Sequence, residues 1–419
     1  MAPGQCAPGG FARLFAINFP PYIGSVRDAG GRGSFLITGC EVVLPDKLIP
    51  RGDVLVEAGR IVFAGEQDGL PSALPAGCRR IDADGLRACP ALWETHIHGC
   101  GGTSTERMTA ESLQAMAGFL AQRGVGAFLP TVVPDEGTLQ ALGHALDESG
   151  PEIRGRALGI YVEGPFVSRA KRGAIPEEFV RPPSMEYLQR MIELSRRHLR
   201  VLTVAPELEG APELIARLQG LGILPAVGHS DAAYEDLAAV EGVQPLVVTH
   251  LFNGMSGVSH KSPGLAQWAL MNRGVYTELN ADGTHVHDAT VRFALQSRPA
   301  ERIVAISDAV APAGLPPSKP PGRLYGRPLK ARGSGLFYEE TGVLVGSRFL
   351  IPDVVRRLIN DFHLPVPEAV AMASRNPAQL FGASRKGALA PGFDADIALF
   401  SDDFSRCSFL SWEGEILHK

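Results

Sequence analysis

The sequence predicts an α/β protein, a TIM-like (β/α)8 barrel carrying a small β-sandwich domain formed by its N- and C-terminal segments. Three observations lead there. Short apolar runs alternate with amphipathic stretches from residue 92 to about residue 308. The runs that read as strands number eight, and the segments on either side change to β-formers broken by turns.

The strand-like runs end near Thr95, Val133, Val162, Val204, Val227, Thr249, Leu279 and Ser307. Eight strands with intervening helices, the last of them near residue 384, favour a closed barrel over residues 92–384 rather than a doubly wound sheet. One helix is expected over 109–123: Leu113, Met116, Ala117 and Leu120 follow the i, i+3, i+4, i+7 spacing of a buried face. Thr109 suits the N-cap and Gly124 the stop. Residues 35–91 and 385–419 are expected to form the small β domain together, since 35–64 and 386–419 share the same strand-and-turn character. Residues 1–34 carry Gly and Pro without periodicity and are read as an extension of no assigned role. The Pro-rich stretch 312–328 reads as a loop after the eighth strand, where a barrel places active-site loops.

Composition narrows the function classes. A formal charge of −5 leaves no basic footprint for nucleic acid, and no apolar run reaches the length of a membrane span. The six cysteines are scattered, without a C-x-x-C pair, so neither a disulfide framework nor a zinc finger is indicated. The start lacks the order of a signal peptide, and a reducing cytoplasm is the expected compartment.

His96 and His98 stand two apart at the end of the first strand, so in extended chain both imidazoles face one side. Glu163 follows ALGIYV, His229 follows LPAVG, His250 follows PLVVT and Asp308 follows RIVAIS, each at or just beyond an apolar strand. The C-terminal strand ends of a barrel converge on one mouth, so these residues should meet there. Imidazoles with a carboxylate suit a divalent ion, Zn first, with Fe or another ion as the alternative, leaving a position open for water. One ion is expected on Glu163, His229 and His250, and a second position on His96 and His98. Asp308 is read as the general base and then general acid of a hydrolysis.

These residues sit in the ordered motifs THIHGCGG (95–102), YVEGPFVSRAKRGAIP (161–176), VGHSDAAYED (227–236), THLFNGMS (249–256), ADGTHVH (281–287) and SDAVAPAG (307–314). NPAQLFG and KGALAPGFDADIALF follow near the C-terminus. Over residues 35–419 the chain resembles the N-acetylglucosamine-6-phosphate deacetylases of the amidohydrolase superfamily. The resemblance implies the same three principal ligands and Asp308 as acid/base. It also implies that His285 binds the substrate and polarises its carbonyl, that Asn253 and Gly254 contact the sugar phosphate, and that the protein is a homodimer.

Three departures bear on the substrate. Lys261 stands where the family commonly has arginine, keeping charge but losing the bidentate fork for phosphate. Ala91, Leu92, Trp93 and Glu94 replace the usual Gly-Phe-Ile-Asp, and Ile175 replaces a common histidine. The expected reaction is hydrolysis of N-acetylglucosamine 6-phosphate to glucosamine 6-phosphate and acetate. An unphosphorylated N-acyl amino sugar or an N-acyl amino acid is the alternative. Cyclic-amide hydrolases fit less well, because the fourth strand offers no lysine to bridge metals. A catalytically dead scaffold would have to retain every costly polar residue of the mouth.

Overall fold

The computed structural model describes residues 33–419, so nearly all of the N-terminal extension lies outside the described residues. Eight strands run in chain order around one sheet: Leu92–Ile97, Val125–Val132, Ile160–Phe166, Leu199–Val204, Leu224–Val227, Val247–Val248, Tyr276–Leu279 and Ile303–Ala305. Neighbours pair parallel throughout. The barrel closes where Ile97 bridges Ala309, with the His98 N–H donating to the Ala309 carbonyl at 2.7 Å and the Asp308 N–H to that of His96 at 3.1 Å.

Alternation along the strands divides the interior in two. Leu129, Tyr161, Val201, Ala226, Val247 and Val304 fill the barrel itself, and their neighbours Phe128, Val162, Leu202, Val227 and Val248 face the helices. The helix expected over 109–123 is Ala110–Ala121, with Thr109 and Ser112 exchanging backbone and side-chain hydrogen bonds as a capping pair. Its stop at Gly124 is enforced twice: φ is +76°, and a Cβ there would lie 2.2 Å from the Phe400 ring.

The terminal segments form a second, mainly antiparallel sheet of eight strands. Ile397–Ser401 pairs Leu86–Pro90, which stitches the two ends of the chain together. The inner face buries its own core of Phe35, Ile37, Val54, Ile61, Ile397 and Phe409.

The Pro-rich segment after the eighth strand is more than a loop. Arg323–Leu324, Arg327–Arg332, Gly335–Tyr338 and Leu344–Ser347 form a four-stranded antiparallel sheet. Its strands are short and punctuated by Gly and Pro, so the alternating pattern that marks a strand was too brief to stand out. Leu324, Leu336, Tyr338 and Val345 pack on Val310 and leave this sheet as one wall of the barrel mouth. No helix of the described residues is long and apolar enough to cross a membrane.

Candidate active site

At the barrel mouth the chain leaves its strands under strain. His229, His250 and Asp308 have φ of 45°, 26° and 50°, the left-handed region that non-glycine residues rarely adopt. Each stands two or three residues beyond its strand, and all three side chains line the cavity at the mouth.

Glu163 lies within the third barrel strand, and its Oε1 is 2.9 Å from His229 Nε2 and 2.8 Å from His250 Nε2. The two imidazole nitrogens are themselves 3.0 Å apart. His229 is locked by its other nitrogen, Nδ1, which is 2.8 Å from the Lys171 carbonyl. Gly254 backs the same ring at φ +55°, where a Cβ would come within 2.9 Å of His229 Nδ1. Burial opposes charge on both partners, but the histidines hold the Glu163 carboxyl well below the usual carboxylate range, and Glu163 in turn raises His229. Two ring nitrogens and a carboxylate oxygen meeting at hydrogen-bond distance are a donor set that fits a divalent ion.

A second set adjoins it. His98 Nε2 is 3.4 Å from Glu163 Oε2 and 3.5 Å from Asp308 Oδ1. His96 Nε2 lies 3.8 Å from both Glu163 Oε1 and Asp308 Oδ1 and has no hydrogen-bond partner among the described residues. His96, His98 and Glu163 therefore also bring ligand atoms together, sharing the Glu163 carboxylate with the first set. The Glu278 carboxylate, 2.9 Å from His96 Nδ1, outweighs burial and holds that imidazole up at about 10.

Asp308 is the remaining carboxylate. Its Oδ2 is 3.2 Å from His285 Nε2, and the other ring nitrogen of His285 is 3.0 Å from Asp282 Oδ2. Burial resists ionisation of Asp308, but His285, His96 and His98 hold it well below the usual range, so it stands ionised among them. Burial likewise lowers His285, and Asp282 with Asp308 overcomes it, bringing the ring to about 10. Beneath these groups Glu94 is fully buried, and desolvation pushes its carboxyl up to about 7.

A cavity of about 240 Å³ opens over the centre. Glu163, His229, His250, Asp308, His98 and His285 form its polar floor, and Asn253 and Gly254 also line it. The opposite walls are apolar: Val133, Ala174, Ile175, Leu324, Val343 and Val345, with the rings of Tyr325 and Tyr338. Lys261 is exposed on the 257–263 loop and is not among the lining residues, and among the described residues no other Lys or Arg lines the cavity. His96 is likewise absent from the lining, since it lies deeper, below His98.

Sequence reasoning passed over Glu278, Asp282, Tyr325 and Tyr338. A glutamate inside the short strand Tyr276–Leu279, next to Leu279, was the only signal for the first. The two tyrosines belong to the small sheet after the eighth strand and carried none.

Residues 87–411 match the amidohydrolase family. An N-acetylgalactosamine-6-phosphate deacetylase of Escherichia coli O157:H7 is 32% identical over 339 residues, covering 79% of this chain and 88% of that protein. An N-acetylglucosamine-6-phosphate deacetylase of Vibrio furnissii is 31% identical over 353 residues, covering 82% and 88%. Among solved structures, a mutant N-acetyl-D-glucosamine-6-phosphate deacetylase of Mycobacterium smegmatis, in complex with N-acetyl-D-glucosamine-6-phosphate, superposes with a TM-score of 0.82 at 27% identity, covering 92% of this chain and 100% of that one.

Proposed function

The chain belongs to the amidohydrolase family, and from that premise we propose that it hydrolyses the acetamide of N-acetylglucosamine 6-phosphate to glucosamine 6-phosphate and acetate. The observation that carries this reading is the meeting of Glu163, His229 and His250 within 3.0 Å of one another beside an ionised Asp308. Those three residues would hold the principal divalent ion, zinc in our reading, and His96 with His98 and the shared Glu163 a second. When bound, the ion polarises the amide carbonyl and makes its water acidic enough to attack at neutral pH.

The protein's own groups do the rest. Asp308 takes the proton from the attacking water and passes it to the departing nitrogen, so the carbon–nitrogen bond breaks as an amine leaves. His285, braced by Asp282, points Nε2 at the same point and donates to the substrate carbonyl oxygen as charge develops there. Asn253 and Gly254, at the cavity edge, contact the sugar. Lys261 lies outside the cavity, so a phosphate reaching it would extend past the rim, and we propose a homodimer whose second subunit completes that end. The free state of all five described cysteines supports a reducing, cytoplasmic setting.

Incubating the Zn-loaded protein with N-acetylglucosamine 6-phosphate and measuring acetate tests the reading. Acetate release is expected, and none with Zn, Fe, Mn or Co would overturn it. One observation favours a second substrate: among the described residues no Lys or Arg lines the cavity. If kcat/KM for free N-acetylglucosamine equals or exceeds that for the 6-phosphate, the unphosphorylated sugar is the substrate. Light scattering in solution checks the dimer.

A further inference from the structure

The barrel interior below the proposed metal centre contains a carboxylate that neither touches the cavity nor belongs to the ligand set. Glu278 lies in the seventh barrel strand with its side chain 4% exposed. An ionised carboxylate at that depth carries a large desolvation cost, offset only where donors surround it. Its Oε2 collects three: His96 Nδ1 at 2.9 Å, the Thr249 hydroxyl at 2.8 Å and the His250 backbone N–H at 3.3 Å.

The donors are themselves fixed. Thr249 Oγ1 accepts from the Tyr161 hydroxyl at 2.9 Å, and Tyr161 accepts from Thr203 Oγ1 at 3.4 Å, so the chain of bonds crosses the barrel from the fourth strand to the seventh. At its end His96 has one nitrogen committed to Glu278. The other, Nε2, is buried without a partner and faces Glu163 and Asp308 at 3.8 Å. With the Nδ1 proton committed to Glu278, Nε2 is the position at which a metal ion would displace the remaining proton and take the lone pair.

We infer that Glu278 is a positioning residue that makes His96 a ligand of a second metal ion, by fixing the proton on Nδ1 and aiming Nε2 between Glu163 and Asp308. The inference rests on the metal-dependent reading of the site. It separates the two sets: His229 is oriented by the Lys171 carbonyl, a neutral backbone group, and His96 by a buried anion reached through the barrel interior. Glu278 also accepts from the His250 backbone, but His250 meets Glu163 through its own Nε2 without help from that carboxylate.

The test counts ions rather than turnover. Wild type, Glu278→Gln, Glu278→Asp and His96→Ala are loaded with Zn, dialysed and assayed for metal equivalents by elemental analysis. Chelator competition gives the affinity of each equivalent, and circular dichroism reports the fold. Wild type is expected to hold two equivalents, and His96→Ala one. Glu278→Gln keeps the size but loses the charge, and Glu278→Asp keeps the charge but withdraws it from Nδ1. Each should weaken the second equivalent by about 10- to 100-fold and leave the first unchanged. In a His96→Ala background the Glu278 substitutions should have no further effect on metal binding.

Wild-type affinity for the second equivalent in either folded variant overturns the inference, as does equal weakening of both equivalents, an effect that persists without His96, or a wild type that holds one ion only. A wild type that holds no ion at all overturns the metal-dependent reading itself and is thereby told apart.

Discussion

Two clusters of buried charge lie at opposite ends of the barrel, and they are built on opposite terms. Near the small β domain, Lys386 sits 3% exposed, with Nζ 2.8 Å from Asp396, 3.1 Å from Asp394 and 3.4 Å from Glu413, and 4.0 Å above the Trp412 ring. Arg60 pairs Asp394 from the other side. Every charge there has an opposite within reach, so the cluster is closed and has nothing left to bind. At the mouth, nitrogen faces nitrogen at 3.0 Å, His96 Nε2 and His250 Nδ1 lack partners, and three backbone positions are left-handed. The first cluster ties the N- and C-terminal segments to each other. The second is incomplete on its own, and an arrangement so costly persists where a ligand completes it.

Substitutions sharpen that contrast, and those at the mouth should cost activity far more than fold. Glu163→Gln removes the carboxylate shared by both ligand sets. Acetate release should fall by roughly 10⁴-fold or more with bound metal lost, while circular dichroism stays that of wild type. Unchanged metal content would show that the ion is held elsewhere. Asp308→Asn should lower kcat by about 10²–10⁴-fold and leave the principal ion bound, because in the proposed mechanism it removes the proton carrier and not the three principal ligands. A loss of KM alone, with kcat intact, would make Asp308 a binding group instead.

The mouth was also the more legible of the two in the sequence, for a physical reason. A polar residue directly after an apolar run is conspicuous, and barrel topology says where such residues go, so Glu163, His229, His250 and Asp308 could be grouped before any geometry was known. Glu278 could not: inside Tyr276–Leu279 it reads as the polar member of an alternating strand, although here that side faces the barrel interior. Gly254 had been read as a sugar contact, and the structure adds that it is the one residue type that fits against the His229 ring. Lys386 drew no notice, since its three carboxylates lie 8 to 27 residues away and only the folded terminal sheet gathers them. The left-handed φ values leave no trace in the sequence beyond the enrichment of His and Asp in that region.

At the closed cluster the balance reverses. Lys386→Met removes the one cation shared by all three carboxylates, leaving Arg60 on Asp394, and should destabilise the protein by about 3–5 kcal/mol. Metal content and kcat of the folded protein should not change. Denaturant unfolding followed by acetate assay of the native fraction checks both, and a variant as stable as wild type would show that the cluster contributes no net stability.

The smallest effect is one of pH. Burial raises the Asp396 carboxyl to about 6, against the pull of Lys386. The folded value is above that of the unfolded chain, about 3.9, so the folded state binds this proton more tightly. Ionising Asp396 therefore costs stability above pH 6, and the cost is relieved as pH falls through 6 and is gone below about 4. Asp396→Asn has no such titration. Between pH 7 and pH 4.5 the Tm difference between wild type and Asp396→Asn should shift in favour of wild type, setting in near pH 6 and centred at about pH 5. Parallel Tm profiles would mean that Lys386 holds Asp396 ionised across the whole range, and the cluster would be closed by charge pairing alone.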